Sequence, residues 1–156
     1  MENDAGVALR CEVAMDHHAS TADLEFRRAF EACEVSPAEF DHAAHVRLAY
    51  TNLCDRSIDD ATERMKASLL AFLTHLGIGH EKYHETITRA WIMAVHYFMT
   101  RSEPQSSAAS FTAANPQLLD SRIMLSHYSA EVLFSPGARA TFVEPDIQSI
   151  PPPAKL

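Results

Sequence analysis

From Ser20 to Phe134 the apolar residues return every three or four positions, and no stretch sustains strict alternation. The first spacing belongs to helices that bury one stripe, the second to half-buried strands. Polar clusters cut the pattern into segments. "STAD" (Ser20 to Asp23) opens a helix to about Cys33. Ser36, Pro37 and Glu39 stand as N-cap, first-position proline and capping-box partner, and predict a second helix to about Asp55. "SIDD" caps a third from Ser57 to Leu76, with Gly77 as its stop. Ile58, Met65, Leu69, Phe72 and Leu76 make one stripe on it. A fourth helix is expected from near Lys82 to about Thr100. "RSEPQSSAAS" reads as a mobile polar loop, with a short helical turn after it. Asn115 and Pro116 open a last long helix to about Phe134, which "SPGA" ends. The remainder is extended and proline-rich, able to lie across a bundle but not to join it. The prediction is an all-α, compact, single-domain bundle of about five helices over residues 20–142. A flexible N-terminal arm (1–19) and an extended tail (143–156) flank it.

On helical wheels at about 100° per residue, the second helix gathers Val46, Leu48, Ala49, Tyr50 and Leu53 into one arc, with Arg47 and Thr51 opposite. His42 and His45 fall in the middle of that arc, as neighbours at i, i+3. The fourth helix gathers Ile87, Trp91, Ile92, Ala94, Val95 and Phe98, with His84 near the centre and Glu85 at the edge. Three imidazoles facing one core cannot all be charged, and each unpaired ring nitrogen costs roughly 1–3 kcal/mol. A divalent metal held by neutral imidazoles resolves both problems. The expected ligand set is His42, His45 and His84, with Glu85 as a fourth ligand or as the base on a bound water. Such a set suits Fe, Cu or Zn. Tyr83 and Thr88 are expected beside it as helping donors. Trp91, Tyr50, His127 and Arg122 are expected to meet a substrate.

Each of these residues also has a plainer role. Inward histidines commonly bond to backbone carbonyls, and HxxH alone is a weak pattern. Glu85 has Arg89 at i, i+4, an exposed ion pair worth about 0.3–0.5 kcal/mol. His127 reads equally as a surface residue near Glu131. His17 and His18 sit in the polar arm with no evident role, and His75, His80 and His96 fall on polar sides or in a turn.

Composition narrows the partners. The formal net charge is −8 and there is no Lys/Arg run, which argues against nucleic acid and against anionic membranes. No apolar stretch is long enough to span a bilayer. The start of the chain lacks the charged-then-apolar order of a secretory signal. Cys11, Cys33 and Cys54 are an odd count without CxxC spacing. They read as reduced thiols in a cytoplasmic protein, Cys54 next to the core. A homodimer is compatible with all of this.

"FDHAAHVRLAY" and "KYHETITRAW" together resemble a group of small uncharacterised bacterial helical proteins. Their shared pattern is F-x-H-x-x-H-[VL]-x-x-A-[WY], followed by Y-H-E-T-x-T. The resemblance runs over roughly residues 24–100 and implies shared site positions at His42, His45, Tyr83, His84, Glu85, Thr86 and Thr88. It supplies no reaction. The expected function is a metal-dependent enzyme acting on a small molecule, a non-haem iron or copper oxidoreductase first. A metal or small-ligand binding module, or an accessory subunit, is the main alternative. A zinc hydrolase or lyase comes next. A last possibility is structural histidines bonded to carbonyls with no metal at all.

Overall fold

The computed structural model describes residues 16–150. Cys11 and the Pro151–Pro153 run lie outside that range. Among the described residues all regular structure is helical. In chain order the helices are α1 (Thr21–Glu31), α2 (His42–Leu53), α3 (Ile58–His75), α4 (Glu85–Arg101), α5 (Ala108–Ala114), α6 (Ala130–Leu133) and α7 (Pro136–Ala140). Short 3-10 turns at Pro37–Glu39, His80–Lys82, Pro116–Leu119 and Ser121–Ser126 join them. The all-α bundle is as expected.

Two helix starts, at Ser20 and Ser57, came out as read. Ser20 accepts from Asp23 N–H and Asp23 accepts from Ser20 N–H, a complete capping box on α1. Ser57 caps α3 by accepting from Asp60 N–H, and Gly77 closes it at φ 71°. That left-handed conformation strains any residue with a Cβ, so glycine suits this stop.

α2 is the central helix. It packs on α1, α3, α4 and α5, and its buried residues include Thr51 and Asn52 as well as the apolar arc. The face expected to meet solvent is therefore covered. Arg47 on that face pairs with buried Asp23 of α1, 2.8 Å away.

Three boundaries differ from expectation. Ser36 makes no side-chain cap, and Pro37–Glu39 is only a 3-10 turn. Phe40 then leaves helical geometry and stacks on Phe30 at 4.6 Å between ring centres. Asp41 becomes the true N-cap of α2, accepting from Ala44 N–H at 2.9 Å. Burial of an aromatic ring outweighed a local cap. α4 likewise starts at Glu85 rather than Lys82, because His84 is extended and caps it. Between Asn115 and Phe134 the expected long last helix is three short pieces, and α7 follows them. Asp120, Ser129 and Ser135 each accept from a backbone N–H two or three residues on, and each starts a new turn. "SPGA" starts α7 rather than ending a helix.

The stretch read as a mobile loop is tied down at Gln105. Its carbonyl accepts from His18 N–H at 2.8 Å and from Tyr50 Oη at 3.1 Å. His17, expected to be idle, is buried, and its Nε2 donates to the Met99 carbonyl at 2.8 Å. The tail crosses the bundle as predicted: Val143 N–H donates to Thr86, and the Val143 carbonyl accepts from Tyr128 Oη at 2.6 Å. Cys54 packs against the core.

Candidate functional site

His42 is the first residue of α2, placed there by the Asp41 cap. A carbonyl oxygen only accepts, so the 2.9 Å contact to Leu118 O means that His42 Nε2 carries a proton. The ring meets Trp91 edge-on, 4.5 Å between centres. His45, one turn later, stacks on Phe40 at 5.9 Å. Its Nε2 is fully buried and has no hydrogen-bond partner among the described residues. Burial, with His42 nearby, pushes its pKa down to about 4. The imidazole is therefore uncharged near neutral pH.

His84 is buried, as the wheel required, but it is the N-cap of α4. Its Nδ1 accepts from Ile87 N–H at 3.1 Å and its Nε2 donates to Leu133 O at 2.8 Å. Both nitrogens are used. Burial and the Arg139 charge hold its pKa below the usual histidine value, against the opposing pull of the Leu133 carbonyl.

These positions do not fit the expected metal. Among the described residues no three of His, Cys, Asp and Glu are placed to hold one ion. His84 has no free nitrogen, and Glu85 is engaged elsewhere. His42 and His84 instead bond to carbonyls, the plainer role weighed for inward histidines.

Glu85, Tyr83 and Thr88 do gather, with Lys66 of α3 against the first two. Lys66 Nζ stands 3.4 Å from Glu85 Oε2, at ion-pair distance without hydrogen-bond alignment. Arg89, the partner read from spacing, goes to Asp59 at 2.9 Å. Tyr83 Oη is buried beside the Glu85 carboxylate and the Thr88 hydroxyl, with no aligned bond to either. Burial and the adjacent carboxylate push its pKa up. Thr88 Oγ1 donates to the His84 carbonyl at 2.8 Å. The trio expected to be catalytic does not line the cavity that holds His42 and His45.

That cavity has a volume of about 350 Å³ and lies between α2, α4 and the segments after Asp120. His42, His45, Ile87, Trp91, Met124, Leu133 and Phe134 form its wall, with Arg122 and Leu125 toward the outside. Of the four residues expected to meet a substrate, two, Trp91 and Arg122, are in this lining. Arg122 is gripped by Asp120 through bonds of 3.0 and 3.2 Å. The other two are not: Tyr50 is fully buried against Phe111, and His127 Nδ1 holds the tail at Gln148 O, 2.8 Å away.

The wall combines two imidazoles, Arg122 and the Ser121 hydroxyl with apolar side chains. It contains no carboxylate and no thiol. An imidazole with a pKa of about 4 is a weak base near neutral pH. Sequence reasoning missed Met124, Leu133 and Phe134, because each was assigned to one long helix that does not form. It also missed a second cavity of about 380 Å³, lined by Asp23, Arg47, Ser107 and Leu119 among others. Asp23 was visible only as a cap, and nothing local shows that it is also buried.

Comparison with family models, curated proteins and solved structures finds no match.

Proposed function

We propose that this chain is a small-molecule binding protein, with its ligand in the cavity between α2, α4 and the Ser121–Ser126 turn. The observation that carries this reading is two imidazoles set into an otherwise mostly apolar wall, one of them held uncharged. Ligand cavities have this make-up: apolar lining, aromatic rings and a few polar groups that fix orientation. Trp91 supplies a large rigid face, and His42 is oriented by its bond to Leu118 O. The volume sits at the low end of the roughly 300–1,000 Å³ of small-molecule cavities. The oxidoreductase expectation is not carried forward, because its ligand set is not assembled.

Any compound that binds only the folded chain raises its unfolding midpoint by mass action. A fragment library screened by thermal shift is expected to give stabilising hits whose effect falls at least threefold in His45→Leu. A library without a stabilising compound, or hits that the variant leaves unchanged, would remove the proposal.

A further inference from the structure

Resting on that binding role, the chemistry of the wall also selects a class of ligand. Charge is the first filter. Arg122 is the only formally charged side chain of the lining, and Asp120 holds it through two hydrogen bonds. An anion would have to break that pair. No acidic side chain lines the cavity, and the Asp120 carboxylate beside His42 is already taken up by Arg122, so a cation would have to displace that guanidinium. His45 adds no positive charge near neutral pH.

Hydrogen bonding is the second filter. His42 Nε2 gives its proton to Leu118 O. In the uncharged ring this leaves Nδ1 as an acceptor, and Nδ1 has no partner among the described residues. A ligand that meets it must donate. Shape is the third. Trp91 meets His42 edge-on and exposed Phe134 lines the outer side, so aromatic rings bound the space. A cavity of this size admits one or two fused rings.

We propose that the cavity takes an uncharged ring compound bearing a single O–H or N–H donor, a phenol or an indole, with the donor on His42 Nδ1 and the ring against Trp91. Four probes of one shape separate the features: 4-methylphenol, toluene, 4-methylbenzoate and 4-methylbenzylamine. Trp91 is the only tryptophan in the chain, so its emission, excited at the red edge of the band, reports on this wall alone. The phenol is expected to bind about fivefold more tightly than toluene, the usual net effect of one hydrogen bond. It is expected to bind at least tenfold more tightly than the acid or the amine. In His42→Leu the gap between phenol and toluene should close while toluene still binds, which also shows that the variant is folded. The ranking on the unaltered protein decides the matter even if that variant does not fold. If the acid or the amine binds best, the ligand class is wrong and the binding role stands. If phenol and toluene bind alike, the donor argument is overturned. If none of the four changes Trp91 emission, and the fragment screen is also blank, the binding role falls with it.

Discussion

Replacing Asp23 with alanine is expected to cost about 3 kcal/mol of stability, the low end for breaking a buried charge pair because Arg47 stays partly hydrated. Asp23 joins three helices. It accepts from Ser20 N–H at the start of α1, from Ala108 N–H of α5 at 2.8 Å, and from Arg47 Nε of α2 at 2.8 Å. Burial raises its pKa, but these three donors together outweigh burial and hold it below the ordinary aspartate value. Removing the carboxylate strands two backbone donors and one guanidinium at once. For a chain of this size the thermal midpoint should drop by about 10 °C. A second change, Arg47→Met, should restore part of the loss, because the stranded charge goes with it. Thermal unfolding followed by circular dichroism checks both. A drop of less than about 2 °C would mean that α5 docks without this bond.

Acid is expected to weaken the fold well before the carboxylates titrate. In the unfolded chain His45 and His84 take up protons near the ordinary value of about 6.5. In the folded chain both values are depressed, His45 to about 4. As the pH falls through 6.5 the unfolded state binds protons that the native state refuses, so stability declines. The full contribution is present above about 6.5 and is lost progressively toward 4. Between pH 7 and 5 His45 alone accounts for about 2 kcal/mol. Urea midpoints measured at the two pH values should therefore separate clearly in the unaltered protein. In His45→Phe, which keeps a ring against Phe40, the separation should shrink by more than half. Equal separations would show that His45 titrates normally in the fold.

The parts of the fold legible in the sequence were those decided within about four residues. Ser20 with Asp23, and Ser57 with Asp60, are complete caps before any tertiary contact forms. The errors lie where a distant partner decided the outcome. Ser36 lost its helix to the stacking of Phe40 on Phe30. The stretch after Asn115 broke at Asp120 and Ser129, whose side chains accept backbone N–H groups, and its buried Tyr128 is held by the distant tail at Val143. The site followed the same division. The wheel placed His42, His45 and His84 inward, and the ring of His42 does meet Trp91. What it could not supply was the partner. Leu118 and Leu133 contribute carbonyl oxygens, which every residue carries and no sequence pattern marks. For two of the three inward histidines, His42 and His84, the chain provides backbone acceptors.

The central claim is that His42, His45 and Trp91 line a ligand site. The most direct measurement is nuclear magnetic resonance of the histidine rings and the Trp91 indole during titration with hits from the fragment screen. The expected result is saturable shifts in His42, His45 and Trp91, with His84 and His17 unmoved and no broadening on adding Fe(II) or Cu(II). Shifts confined to residues around Arg47, or His42, His45 and His84 broadening together on adding metal, would contradict it.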